Sequence, residues 1–206
     1  IKRIVWIEPN PNKYKLIEKK LSKYDEMFLG KFAAGSKKKK LFLNISNNSQ
    51  SSSLLEMGTH KTSYPNIFYV SKVEVEVLAF DEWLKERSLD KRKYNFINID
   101  IQGYELEALK GMRRQIKNAD YIYLEVNFRQ VYLNCSQIED IDKFLSEFNF
   151  YRVGTYKTRR GWGDAIYVKD YILINKAYYS VVIPLLKVVQ LSLKIIRKLA
   201  LKIFKK

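Results

Sequence analysis

The stretch NIDIQGYELEALKG, residues 98–111, decides the fold class. With the preceding Tyr94-Asn95-Phe96-Ile97 it reads as a fully buried strand that ends in Asp100, followed by a helix. Gly103 permits a sharp turn out of the strand. Glu105 falls in the first helical turn, where negative charge is favoured by the free N–H groups and the dipole. A strand that delivers a carboxylate, an amide (Gln102) and a second carboxylate where it stops reads as the rim of a site. Open α/β sheets hold ligands at such strand tips.

The flanking segments repeat the alternation. RIVWIEPN is a buried-type strand ending in Glu8, and Asn10 and Pro11 then open a helix as N-cap and first-turn residue. MFLGKFAAG reads as one strand stopped by Gly35, and SKKKKLFLNIS as a short strand after a basic turn. Residues 47–66 form a polar, Ser-rich loop. IFYVSKVEVEVLAF alternates apolar and polar residues, so it is a half-exposed strand. FDEWLKER is a short helix with Asp81 at its start, and GYELEALKGMRRQI is read as one helix. ADYIYLEVN is a second buried strand. SQIEDIDKFLSEF is a helix whose capping box is Ser136 with Glu139. NFYRVGTYKT and GDAIYVK pair as a closing hairpin. Strands alternating with helices predict an α/β fold with a mainly parallel sheet and a C-terminal antiparallel pair. Residues 1–170 are read as one domain and residues 171–206 as a tail.

The 206 residues suffice for one domain with a core, and 47% hydrophobic with 29% charged residues is ordinary for a globular protein. The single Cys135 cannot form an internal disulfide, which argues against an oxidised secreted fold. No signal peptide opens the chain, so a cytoplasmic location is expected. The chain starts with Ile1 rather than Met and reads as a fragment of a longer protein. Net charge is +16, and half of the excess lies in residues 171–206, with eight basic residues and no acidic one. There Lys187, Gln190, Lys194, Arg197, Lys198, Lys202 and Lys205 recur at helical steps opposite Val188, Val189, Leu193, Ile196, Leu199 and Ile203. This predicts a basic amphipathic helix of the kind that lies on an anionic membrane at its inner surface. A helix packed on the domain or on a partner chain is the alternative. No nucleic-acid motif appears, and no nucleic-acid partner is expected.

The pieces WIEPNPNKYKLIEKKL, AAGSKKKKLFLN, SSSLL, VEVEVLAFDEWL, FINIDIQGYELEALKG, YIYLEVN and WGDAIYVK, in this order, resemble the FkbM-type methyltransferase family. The resemblance runs from about Ile4 to Lys169. It implies an S-adenosylmethionine-dependent enzyme on a Rossmann-like class I sheet, commonly an O-methyltransferase acting on sugars or other hydroxylated metabolites. In that family a strand and a glycine-rich turn precede the EPNP strand and cradle the methionine end of the cofactor. The chain begins after that position, so the resemblance implies that both lie upstream in the parent protein. A non-catalytic Rossmann-like binding module is the alternative reading.

Roles follow residue by residue. With the resemblance, Glu8 accepts the ribose hydroxyls of the cofactor; without it, Glu8 is a carboxylate facing the next helix. Asn10 assists or only caps. Ala33 and Ala34 let an adenine ring lie near the backbone, or pack beneath the hairpin. Asp100, also at the cofactor, is the candidate base for the hydroxyl proton, with Gln102 positioning. Glu105 is catalytic or caps its helix. Glu125, Asn127, Arg129, Trp162 and Asp164 are the candidate acceptor contacts, for a small molecule or a glycan. Lone His60, in the loop, cannot make a zinc site. Asp100, Glu125 and Asp164 would hold Mg²⁺ only by converging, and no metal is expected.

Overall fold

The computed structural model describes residues 3–24 and 26–173. Its elements run β1 (Ile4–Ile7), α1 (Pro11–Leu21), β2 (Met27–Gly30), β3 (Ala33–Ala34), β4 (Lys39–Ser46), α2 (His60–Ser63), β5 (Tyr69–Leu78) and α3 (Phe80–Glu86). They continue with β6 (Phe96–Ile99), α4 (Glu105–Lys110), α5 (Arg113–Asn118), β7 (Tyr121–Asn127), α6 (Ile138–Ser146), β8 (Phe150–Lys157), β9 (Trp162–Lys169) and α7 (Asp170–Leu173).

The strands form three ladders in the orders β1-β2, β3-β5-β4 and β6-β7-β9-β8. Parallel pairing joins β1 to β2, β3 to β5 and β6 to β7, each over two to four residues of strand. The antiparallel pairs β4–β5, β7–β9 and β8–β9 run much further. The expected mainly parallel sheet is therefore corrected to a mixed α/β arrangement. The cause is legible in β4 and β5. Lys40 ion-pairs with Glu74 at 2.7 Å and Lys38 with Glu76 at 3.2 Å on the wet side, while Leu43, Val75 and Val77 are buried on the other. Antiparallel ladders tolerate one solvated face, whereas parallel ones are covered on both. Exposed ion pairs contribute little, so the apolar face holds the hairpin.

Other departures are local. MFLGKFAAG makes two strands: Gly30 pairs with Ile7 of β1, and after Lys31 the chain changes ladder so that Ala33 pairs with Val77 of β5. Phe32, 2% exposed, anchors the crossing against Trp83. The helix expected from Gly103 onward breaks into α4 and α5 around Gly111. A Cβ on Gly111 would stand 1.9 Å from the Gly35 carbonyl oxygen, so the backbones touch there. Asp81 then caps α5 from α3, accepting the Arg114 amide at 2.7 Å and the Gln115 amide at 3.3 Å. The box on α6 is Gln137 with Asp140, one residue on from the expected Ser136 and Glu139. The strand β6 is not fully buried: Phe96 is 44% exposed and only Ile99 is buried. As the sequence predicts, Asn10 caps α1 through its side chain, with Pro11 as first residue.

The main core gathers Leu84, Leu109, Ile116, Ile122, Leu124 and Leu145, none exposed, between the β6-β7-β9 ladder and α3 to α6. Among the described residues no helix is long and apolar enough to cross a membrane. The expected amphipathic helix of the tail lies wholly outside the described residues, which end at residue 173.

Candidate functional site

The β6–α4 turn is built by two successive residues with positive φ, Gln102 at 60° and Gly103 at 101°. Gly103 also has little room for a side chain, since a Cβ would lie 3.1 Å from each of Cys135, Leu55 and Tyr132 and these would have to give way. This geometry swings the Gln102 side chain back over the strand tips. Its Nε2 donates to Asp100 Oδ1 at 2.5 Å and lies 3.3 and 3.4 Å from the two oxygens of Glu125. Tyr132, with no exposed surface, donates its hydroxyl to Gln102 Oε1 at 2.6 Å. That bond fixes which end of the amide faces the carboxylates. Ser53 Oγ donates to the Gln102 carbonyl at 2.7 Å, tying the Ser-rich loop to the same turn.

Glu105 lies beneath the turn. It is wholly buried, and its Oε1 accepts the Gly103 amide at 3.0 Å and the Ile101 amide at 3.2 Å. It therefore holds the turn in shape rather than facing the strand tips. Burial pushes its carboxyl up to about 7, against the pull of those amides. In the window from about 4.5 to about 7 the folded chain thus holds a proton that the unfolded chain releases. The contribution of Glu105 to stability is full at low pH and falls as pH rises through that window. Replacing it, Glu105→Gln, is expected to remove this fall. Denaturant midpoints at about pH 5 and pH 8 check it, and equal slopes in the two proteins contradict it.

The register of β7 and β9 places the candidate acceptor residues on one sheet face. Glu125 pairs with Asp164 and Asn127 with Trp162. Residues two apart on a strand share a face, so all four lie together. Asn127 is wholly buried, and neither its Nδ2 nor its Oδ1 has a hydrogen-bond partner. Trp162 Nε1 donates to the Tyr64 hydroxyl at 3.0 Å. Arg129 follows this tip, exposed, with its stem against Gly161, where a Cβ would meet it at 2.9–3.1 Å.

His60 was legible only as a loop residue, yet it is 6% exposed. Its ring stands 4.9 Å from Tyr64 and 5.4 Å from Tyr132, and burial lowers its pKa. Tyr132 and Tyr64 are the side chains that sequence reading underrated. No local pattern marks them, because their partners lie 30 and 98 residues away.

Glu8 occupies the tip of β1, in a different ladder from Asp100 and Glu125. Its Oε1 accepts the Asn10 amide at 2.9 Å and its Oε2 lies 3.6 Å from Lys13 Nζ. Lys13 also donates to the Ser49 carbonyl at 3.0 Å. The Ser-rich loop thus touches both the Glu8 end and, through Ser53, the Gln102 end. Ala33 and Ala34 are 3% and 9% exposed and pack into two apolar clusters. Among the described residues no group of three or more His, Cys, Asp or Glu side chains has the geometry to hold a metal ion.

Residues 1–152 match the methyltransferase FkbM domain family. The chain is similar to the hexuronic acid methyltransferase AglP of Haloferax volcanii, 27% identical over 90 residues, covering 44% of this chain and 32% of that protein. Its fold is similar to that of the FkbM methyltransferase of Methylobacillus flagellatus, with a TM-score of 0.50 and 15% identity over 81% of this chain and 36% of that one. The matched regions span about a third of the length of each relative. With the family matching most of its length, the chain belongs to the FkbM methyltransferases.

Proposed function

We propose that the protein transfers a methyl group from S-adenosylmethionine to a hydroxyl of a sugar or glycan. The observation that carries this reading is the Gln102 amide spanning Asp100 and Glu125 at the tips of two adjacent parallel strands. Bound S-adenosylmethionine supplies an electrophilic methyl group. The residues of the chain do the rest. Asp100 is exposed, so its carboxylate is open to an incoming hydroxyl and accepts that proton as the oxygen bonds to carbon. Gln102 keeps the carboxylate aimed, and Tyr132 keeps Gln102 from flipping. Glu105 shapes the turn from below. The face with Glu125, Asn127, Trp162 and Asp164 lies beside Asp100 and orients the acceptor. The relative that acts on hexuronic acid supports a sugar as the acceptor class.

The residues present fit the ribose end of the cofactor. A carboxylate offers about four acceptor positions, and at Glu8 the Asn10 amide and Lys13 occupy two. Glu8→Ala in the full-length protein is expected to weaken S-adenosylmethionine binding about ten- to hundred-fold, the effect of losing hydrogen bonds to a charged group. Titration calorimetry with unchanged circular dichroism checks this. Equal affinity in the variant removes the ribose role.

The basic, apolar sequence of residues 181–206 supports a second element of the proposal, contact with an anionic membrane where lipid-linked or surface glycans are assembled. Each basic residue near such a surface adds about 1 kcal/mol, screened by salt. The protein lacking residues 181–206 is expected to lose co-sedimentation with anionic vesicles, while neither form binds neutral ones. Equal binding of both forms to anionic vesicles contradicts it.

A further inference from the structure

We infer that the acceptor carries an anionic group, a carboxylate or a phosphate ester, and that Arg129 and Arg160 seat it. The inference rests on the methyl-transfer reading and adds the charge of the substrate.

The arginines of this chain divide sharply. Arg3, Arg87, Arg113, Arg114 and Arg152 each lie within ion-pair distance of a carboxylate. Among the described residues Arg129, Arg159 and Arg160 show no such partner, and all three lie at the tip of β7 or in the β8–β9 turn. Arg92 is the other, covering the Phe28 ring elsewhere.

Their positions are set by the same residues that build the acceptor face. The Arg160 guanidinium lies 4.0 Å from the centre of the Tyr64 ring. Tyr64 accepts the Trp162 indole N–H, and its ring touches His60, which in turn faces Tyr132 and so Gln102. Arg129 is laid along Gly161, which takes φ +87° and leaves no room for a Cβ between them. The Phe128 amide donates to the Gly161 carbonyl at 2.8 Å, fixing the two loops together. Between these cations and the carboxylates stands Asn127, buried and without a partner for either amide atom. Buried polar groups are nearly always paired, so an unpaired amide on the acceptor face fits a ligand that completes it.

The chemistry fits an anionic sugar better than a neutral one. Arginine binds carboxylate and phosphate oxygens through its planar fork, with hydrogen bonds roughly twice as strong as neutral ones. Asp100, Glu125 and Asp164 make the adjoining strand tips negative, and hydroxyls suit them. An acceptor whose anionic group lies toward the β8–β9 turn would have its charge on Arg129 and Arg160 and its hydroxyls toward Asp100. The opposite orientation puts like charges together, which gives the site one orientation rather than two.

The test uses the full-length protein with S-adenosylmethionine and three acceptors: a methyl glucuronide, a hexose 6-phosphate and the matching neutral methyl hexoside. Initial rates give kcat/KM, and a parallel calorimetric titration with the non-reacting cofactor product gives acceptor affinity. At least one anionic acceptor is expected to exceed the neutral one about ten- to hundred-fold in kcat/KM. Arg129→Gln with Arg160→Gln is expected to abolish that preference while cofactor affinity, read by the same calorimetry, is retained. The better of the two anions identifies carboxylate or phosphate as the group recognised. Methyl transfer without preference for an anion, or a preference that survives in the double variant, overturns the inference and leaves the methyl-transfer reading standing. No transfer to any of the three together with no cofactor binding overturns both.

Discussion

Asp100→Asn is expected to lower the methyl-transfer rate about a hundred- to ten-thousand-fold while leaving S-adenosylmethionine affinity within a few fold, the range that a positioned general base contributes. The substitution conserves shape, and its amide oxygen still accepts the Gln102 N–H that Asp100 Oδ1 receives at 2.5 Å. Fold and turn are therefore retained, and the lost function is proton acceptance. Single-turnover kinetics separate this step from binding. A variant that transfers methyl within a few fold of the wild-type rate makes Asp100 a positioning residue, with the proton leaving directly to water.

The second large effect is on stability. Gly103→Val places a β-branched residue at φ 101°, and its Cβ alone would stand 3.1 Å from Cys135, Leu55 and Tyr132. Backbone strain of this kind costs about 1–3 kcal/mol, and crowding a packed site costs about 1–3 kcal/mol more. Relief by moving Tyr132 releases Gln102, so whatever folds is expected to lose transfer activity as well. Chemical denaturation checks the first part; a midpoint unchanged from wild type shows that the turn is soft and that Gly103 does not hold the site.

The strand, turn and helix that carry these two residues were readable because the signal is local. An apolar run, an acid, a glycine and a helix occupy consecutive positions, and so does the Asn10-Pro11 start of α1. What was not readable depends on distant partners. The two-ladder split at Lys31 is set by β1 on one side and β5 on the other, and neither partner can be inferred from MFLGKFAAG itself. The break between α4 and α5 follows from the contact of Gly111 with Gly35, 76 positions earlier. The capping residue of α6 moved by one because Gln137, a rarer cap than serine, makes the reciprocal bond with Asp140. Tyr132 is fully buried, yet its hydroxyl reaches the Gln102 amide that bridges Asp100 and Glu125, a partner 30 residues away. Glu105 was expected in the first turn of its helix, and only the fold shows that it points under the turn, where burial pushes its carboxyl up to about 7.

The central claim is methyl transfer to a hydroxyl at the Asp100–Gln102–Glu125 rim. The most direct measurement follows a ¹³C-labelled methyl group from S-adenosylmethionine by NMR and mass spectrometry, using the full-length protein and hydroxylated sugar acceptors. The account predicts a labelled O-methyl sugar with wild type and about a hundred-fold less or lower with Asp100→Asn in the same time. Cofactor bound with the label never reaching a sugar oxygen, or label found on nitrogen or carbon, contradicts it.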